Sequence, residues 1–266
     1  MLKDKTIPLY FILFFAILTV IYYPTFFNAP RSDWWESLYF FHTIYANSNP
    51  LQLLHILNTD CVQHTSFRPL SHFILYIQHF IFGSNFFYIH VINFVLYCLS
   101  LLLLYRLAAV FINNKFLGAV FISYFAFLYS HFDIVSWTAH SYIILGFCFF
   151  LLGLILYTKF LKTGSLGSLF LIGILFLSGM FCYEALILWP LSIVILAHIG
   201  NLINREKVTK TKLVLSYLLV LALIYIVYMC IFLLIRNIKT YSDSDSRRYA
   251  LLLQSISIIR IYRTTI

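Results

Sequence analysis

The sequence predicts an all-α, polytopic transmembrane bundle of about seven spans, with an interfacial helix in the first outer loop. Of the 266 residues, 62% are hydrophobic and only 10% are charged, whereas soluble domains are about half apolar and about one-quarter charged. Apolar runs of about 20 residues, the length that crosses a bilayer as a helix, recur along the chain. This composition excludes a soluble globular enzyme, a disordered chain and a small disulfide scaffold.

The charge and the cysteines add no other class of function. The net charge of +9 does not indicate nucleic-acid binding, because the basic residues stand between apolar runs rather than along one face. Of the five cysteines only Cys61 lies in a polar stretch, and their spacing indicates neither a disulfide framework nor a zinc site. Neither metal-ligand spacing nor a glycine-rich phosphate loop is present, so no cofactor and no metal-ligating residue is predicted, and the use of a divalent metal is left open.

The first predicted span covers residues 7–27, and residues 28–87 form the first outer loop. The span is predicted to be retained, because its apolar core is too long for a signal peptide and no small-residue cleavage site follows. Within the loop, the 14 apolar residues 69–82 are too few to cross a bilayer. They predict an interfacial or re-entrant helix, which ends at Gly83 and Ser84.

Six further spans complete the predicted membrane domain, residues 1–235, over residues 88–111, 116–132, 139–161, 166–183, 185–203 and 213–235. The stretch 166–203 is divided because one helix would be about 55 Å long. A single helix would also bury Glu184 and Pro190 in lipid, at a cost of several kcal/mol. Residues 236–266 are a basic tail, predicted to begin an incomplete second outer loop.

The distribution of Lys and Arg predicts that the N-terminus is cytoplasmic. Before the tail, ten basic residues are then inner and only Arg31 and Arg68 are outer. The six basic residues of the tail change the count to ten against eight. One long span over 166–203 would give twelve against six instead, so charge alone leaves the second half open. The interruption at Glu184 and Pro190 favours seven spans.

The acidic residues gather on one predicted face of the membrane. Only Asp4 and Glu206 are inner, whereas the outer acidic residues are Asp33, Glu36, Asp60, Asp133, Glu184, Asp243 and Asp245. Any chemistry is therefore predicted on the outer side.

Asp33 is the candidate catalytic residue, just after the first span in Ser32-Asp33-Trp34-Trp35-Glu36. A carboxylate at the lipid–water boundary is partly desolvated, which suits a general base. The same pattern also predicts a helix capping box with tryptophans at the membrane interface. These residues alone allow both interpretations.

The candidate substrate-binding residues each have a structural alternative as well. Arg68 precedes Pro69 and can bind phosphate oxygens through two N–H groups, or it can simply extend its charged end to the interface. His90 and Asn93 are spaced i, i+3 and share a helix face, where they either contact a ligand or join helices through hydrogen bonds.

Three more residues complete the candidate binding set. Asp133 precedes the fourth predicted span and is either a ligand-binding acid or the N-cap of that helix. Glu184 lies in a predicted membrane hairpin, where an acid needs a partner or a water-filled cavity. Arg236, at the start of the tail, is a second outer cation.

The order of these features resembles the N-terminal half of GT-C superfamily membrane glycosyltransferases, which include protein mannosyltransferases and the aminoarabinose transferases of lipid A. The resemblance covers most of residues 7–240 and depends on an acidic residue after the first span and on several short motifs. These motifs are Phe67-Arg68-Pro69-Leu70, Phe82-Gly83, Tyr88-Ile89-His90-Val91-Ile92-Asn93, Asp133-Ile134-Val135-Ser136-Trp137, and Glu184 with Pro190.

The resemblance implies transfer of a sugar from a polyprenyl-phosphate donor to an acceptor on the non-cytoplasmic face, with Asp33 at the position of the catalytic acid/base. It implies an inverting reaction in the plasma membrane of a bacterium, with membrane lipid and the donor as partners. Two features depart from the family. Tyr183 stands where many relatives carry Lys, and relatives are usually longer, which implies a fragment or a degraded copy.

A second hypothesis is a non-catalytic membrane protein, either a carrier or a subunit of a cell-envelope assembly. It requires only buried polar residues that line a path, such as His90, Asn93 and Glu184. The predicted spans lack the internal repeat that many carriers have. That absence favours the glycosyltransferase.

Overall fold

The computed structural model of the chain describes residues 6–28, 68–83, 85–112, 114–183, 185–186, 192 and 211–240. These residues form α-helices and short 3-10 turns, and no strand occurs among them. The predicted all-α class is therefore confirmed. Three segments are long and apolar enough to cross a membrane: Pro8–Phe27, Phe86–Val110 and Thr138–Leu161. They correspond to the first, second and fourth predicted spans.

The first two helices begin and end at residues whose backbone preferences suit those positions. Helix α1 (Thr6–Tyr22) continues into a 3-10 turn, Tyr23–Phe27, which has a proline in its first positions. Helix α2 (Pro69–Phe82) has the predicted bounds. Gly83 ends α2 with a φ of +57°, a left-handed value that glycine adopts without strain.

Helix α2 carries its polar residues on the side that faces the protein. Ser71 and Gln78 are buried, whereas the side chains of Phe80 and Ile81 are 77% and 61% exposed. A helix in contact with water has the opposite arrangement. An apolar outward face is typical of a helix that contacts lipid.

Helix α3 (Phe86–Phe111) packs antiparallel to α1 through aromatic rings. The ring centroids of Phe11 and Tyr105 are 4.7 Å apart near one end, and those of Phe26 and Phe94 are 5.6 Å apart near the other. These contacts belong to an apolar cluster that also includes the next two helices.

The predicted span 116–132 is not one helix. It is divided into α4 (Lys115–Ala126) and α5 (Tyr129–Ser136), because Leu128 is extended with a ψ of 127°. At this division the hydroxyl of Tyr97 on α3 donates to the carbonyl of Ala126 at 2.9 Å. That bond satisfies a carbonyl that the next helical turn would otherwise use.

Helices α6 (Ser141–Thr163) and α7 (Leu166–Cys182) form an antiparallel pair, and a 3-10 turn, Thr138–His140, precedes α6. The pair packs closely at Gly146, where an added Cβ atom would lie 3.1 Å from the Cβ of Cys182 and 3.1 Å from Cδ1 of Leu186. Small residues at a helix–helix contact permit such an approach.

Helix α8 (Thr211–Thr240) runs parallel to α7. Near its start, the ring of Tyr217 lies 4.6 Å from that of Tyr157 in the second half of α6. Near its end, the ring of Tyr228 lies 5.9 Å from that of Phe181 at the end of α7. The chain therefore leaves α7 at one end of the bundle and enters α8 at the other.

The remaining predicted spans have mixed outcomes. The predicted interruption near Glu184 is confirmed, because α7 ends at Cys182 and Tyr183 is extended. The predicted span 185–203 lies outside the described residues, apart from 185, 186 and 192. Helix α7 has 17 residues, Leu166–Cys182. Helix α8 has 30 residues, and the part of it whose side chains are described, Tyr217–Leu233, is apolar.

We predict that Gly146→Leu destabilises the protein by about 1–3 kcal/mol, because the larger side chain forces α6 away from α7. Thermal unfolding in detergent measures the effect. Gly167→Leu is the matched control, since a Cβ at exposed Gly167 would meet only the Ser165 hydroxyl oxygen, at 3.7 Å. Equal unfolding temperatures for the two variants would contradict close packing at Gly146.

Candidate functional site

The predicted site residues that the structure describes lie at one end of the bundle, here named the polar rim. Five elements begin or end there: the 3-10 turn that ends before Asn28, α2 at Arg68, α3, the 3-10 turn Thr138–His140, and α7 before Tyr183. Side-chain contacts join these elements to one another.

Arg68 is the cation of the polar rim among the described residues. It is the N-cap residue of α2, and its carbonyl accepts hydrogen bonds from the Ser71 amide at 3.1 Å and the Ser71 hydroxyl at 2.8 Å. Its guanidinium carbon lies 4.9 Å from the ring centroid of Tyr183, a cation–π contact. The contact joins the start of α2 to the end of α7.

Tyr183 owes its position to the end of α7. Its backbone is extended (φ −156°, ψ 117°), and its amide donates to the carbonyl of Gly179 at 2.8 Å. The chain therefore turns away from the α7 axis at this residue, and the ring reaches the start of α2. Sequence reasoning noted Tyr183 only as a departure from the family pattern and missed its contact with Arg68.

One face of α3 donates hydrogen bonds to the ends of three neighbouring elements. This donor face consists of His90, Asn93 and Tyr97, which are spaced i, i+3, i+7. Nε2 of His90 donates to the carbonyl of Asn28 at 3.2 Å, and Nδ2 of Asn93 donates to the carbonyl of Trp137 at 2.9 Å. Tyr97 donates to Ala126, as described above. Each acceptor is a carbonyl at or next to the end of a helical element, and the Trp137 carbonyl also accepts a bond from the His140 amide at 3.1 Å.

His90 and Asn93 are therefore packed inside the bundle. Both side chains are 0% exposed. The predicted shared face is confirmed, and their described bonds join helices, as the structural alternative expected. A role in binding substrate stays a prediction for both residues.

Asp133 lies in the middle of α5 and is exposed. Its interpretation as the N-cap of the fourth span is wrong, because His140 occupies that position and makes no capping bond with its side chain. The division of the predicted third span creates α5 and moves Asp133 into it. The carbonyl of Asp133 accepts a bond from the Trp137 amide at 3.1 Å, which closes the last turn of α5.

A buried polar pair that sequence reasoning missed attaches α2 to the bundle. The Ser141 hydroxyl donates to Oε1 of Gln78 at 3.0 Å, and both side chains are buried. The sequence contained one indication of this contact. Ser71 and Gln78 are seven residues apart and so form a polar face on an otherwise apolar helix. Their position on the inner face of α2 depends on the tertiary structure.

Three predicted site residues fall outside this description. Asp33 and Glu184 lie outside the described residues, and Arg236 belongs to α8 with a side chain that is not described. Their sequence neighbours Asn28 and Tyr183 belong to the polar rim. No group of three His, Cys, Asp or Glu side chains in the described part of the chain could hold a metal ion.

Comparisons with protein-family models, with curated proteins and with solved structures find no match for this chain. The residues of the polar rim are therefore the basis for a proposed function.

We predict that Tyr97→Phe lowers the free energy of unfolding by about 0.5–1.5 kcal/mol, because it removes the bond to Ala126 without changing the packing. Tyr217→Phe is the matched control. Tyr217 is 0% exposed, and its hydroxyl has no hydrogen-bond partner among the described residues. Its removal should leave stability unchanged or raise it. Thermal unfolding in detergent compares the two, and equal losses would contradict a stabilising bond at Tyr97.

Proposed function

We propose that the chain is a multi-pass membrane glycosyltransferase of the GT-C type. It moves a sugar from a polyprenyl-phosphate donor to an acceptor on the non-cytoplasmic face of a bacterial plasma membrane. The observation that carries this proposal is the Arg68 guanidinium on Tyr183, a cation in contact with a neutral ring at the polar rim. A leaving group of this reaction is an anionic lipid phosphate, for which such a cation is a suitable partner.

The proposed carboxylates are close in sequence to residues of the polar rim. Asp33 follows Asn28 by five residues, a length of chain that spans at most about 18 Å. Glu184 is bonded directly to Tyr183. An acid and a cation at the same end of the bundle can therefore act on one substrate.

In the proposed reaction, Asp33 accepts the proton of the acceptor hydroxyl as that oxygen attacks the anomeric carbon. The new bond between the acceptor oxygen and the anomeric carbon forms as the bond between that carbon and the phosphate oxygen breaks, with inversion. The phosphate leaves with the bonding electron pair on its oxygen. Arg68, assisted by Arg236, stabilises that negative charge.

The directions of the helices support the seven-span arrangement within this proposal. Helices α7 and α8 are parallel, so α7 ends at the polar rim and α8 begins at the opposite end, which is the arrangement expected if residues 185–203 form a span. Residue 236, near the end of α8, then belongs to the same side as Arg68. The apolar outward face of α2 supports an interfacial helix near the site.

One observation favours the alternative, a non-catalytic carrier or envelope subunit. The buried bonds of His90 and Asn93 are made to backbone carbonyls of the same chain. Polar residues inside such a bundle therefore have a structural role that requires no substrate. We favour the transferase because the Arg68 guanidinium lies on Tyr183 at the polar rim, where the proposed lipid phosphate would leave.

We predict that Asp33→Asn lowers sugar transfer about 100-fold or more, because it removes the general base. Asn is as good a helix N-cap as Asp, so the variant retains a capping role if Asp33 has one. Transfer is measured in membranes with labelled polyprenyl-phosphate sugar. Asp4→Asn, on the proposed inner side, is the control and should retain full transfer. Undiminished transfer by Asp33→Asn would remove this residue from the mechanism.

We predict that residues 201–212 face the cytoplasm and that the tail after residue 240 faces outward. Fusions at these two positions to alkaline phosphatase, active only outside, and to green fluorescent protein, fluorescent only inside, report the side. The fusion after residue 208 should fluoresce, and the fusion after residue 240 should show phosphatase activity. The opposite pattern would indicate a single span over 166–203.

A further inference from the structure

We propose that a buried water-binding site joins the donor face of α3 to the 3-10 turn that precedes α6. In this site one water molecule bridges Oδ1 of Asn93 and Oγ1 of Thr138. The inference goes beyond the proposed function, because it concerns a binding site inside the bundle and holds whether or not the chain transfers a sugar.

The two oxygen atoms are buried and need a hydrogen-bond partner. The side chain of Asn93 is 0% exposed and that of Thr138 is 1% exposed. Neither Oδ1 of Asn93 nor Oγ1 of Thr138 has a hydrogen-bond partner among the described residues. A buried polar atom without a partner is destabilising, and in proteins such atoms are usually bonded to protein or to ordered water.

The backbone places the two oxygens beside the same peptide group. Nδ2 of Asn93 donates to the carbonyl of Trp137 at 2.9 Å, and Thr138 is the next residue in the chain. Oδ1 of Asn93 is bonded to the same carbon atom as Nδ2. The two oxygens are therefore neighbours, yet they are too far apart for a direct hydrogen bond. A gap of this kind between two buried polar groups is where a bridging water is expected.

The Thr138 hydroxyl differs from the other buried hydroxyls near α3. The hydroxyls of Ser100 and Ser136 each donate to the carbonyl three residues earlier in the chain, at 2.7 Å and 3.3 Å. The corresponding carbonyl for Thr138 is that of Val135, which lies close to the ring of His90. Thr138 makes no such bond. Its hydroxyl is therefore available to a partner outside its own turn.

The chemistry of the two oxygens selects water. The amide oxygen of Asn93 only accepts hydrogen bonds, whereas the hydroxyl of Thr138 can donate or accept. The ligand must therefore donate to Asn93 and exchange a second bond with Thr138, which one water molecule does. A molecule as large as a sugar could not reach two fully buried side chains without opening the bundle.

The first test is Thr138→Val, which removes the hydroxyl and keeps the shape of the side chain. Loss of the bridge should lower the unfolding temperature in detergent by about 2–6 °C. A hydroxyl without any partner predicts the opposite, because its replacement by a methyl group then leaves stability unchanged or raises it. An unfolding temperature equal to or above that of the wild type would overturn the proposal.

A double-mutant cycle then identifies the partner of Thr138. In an Asn93→Leu background, Thr138→Val should cause almost no further loss, because the water has already lost one of its two partners. A loss as large as in the wild type would mean that Thr138 bonds to another group, and would overturn the bridge. Thr25→Val is the matched control. The Thr25 hydroxyl is buried and donates to the Tyr22 carbonyl at 2.7 Å, so its loss should be the same in both backgrounds.

A crystal structure of the wild-type chain in a lipid phase provides a test that requires no variant, in case Asn93→Leu folds poorly. The density should show one ordered water within about 3.2 Å of both oxygens. A direct bond between the two oxygens, or well-defined density for both side chains without a water between them, would contradict the proposed site.

Discussion

Helix ends leave carbonyl groups without intrahelical donors, and in an apolar bundle other parts of the protein supply many of the partners. The donor face of α3 supplies three of them. His90, Asn93 and Tyr97 donate to the ends of the first 3-10 turn, α5 and α4, respectively. A single helix face therefore bonds to the ends of three other elements, and two of these ends belong to the polar rim.

This arrangement separates two kinds of polar residue. The donor face is buried and bonded to backbone, so it supports the architecture. Arg68 and Tyr183 lie at the edge of the same end, half-buried, and contact each other across two helices. The donor face stabilises the bundle, whereas Arg68 and Tyr183 lie at the proposed site. Both sets are polar residues next to apolar runs. The proposed transfer reaction uses the second set and depends on the first only for its geometry.

The attachment of α2 is what connects these two sets. Its polar side faces the protein, and the Gln78–Ser141 bond holds it against α6, while its apolar side faces outward. A helix of 14 residues, shorter than the about 20 residues that cross a bilayer, thus begins with a cation at the rim. The proposed lipid donor would approach from the side on which the apolar face of α2 lies.

The sequence by itself determined the all-α class, the bounds of α2 and the interruption after Cys182. These depend on apolar run length and on local residues such as Pro69 and Gly83, whose backbone preferences act without distant partners. The tertiary structure decided the division at Leu128, the position of Asp133 within α5, the partners of His90 and Asn93, and the contact between Arg68 and Tyr183. It also decided the direction of α8 relative to α7, which the distribution of Lys and Arg had left open. Each of these depends on a bond or packing contact between residues far apart in the chain, and a local pattern carries no information about such a partner.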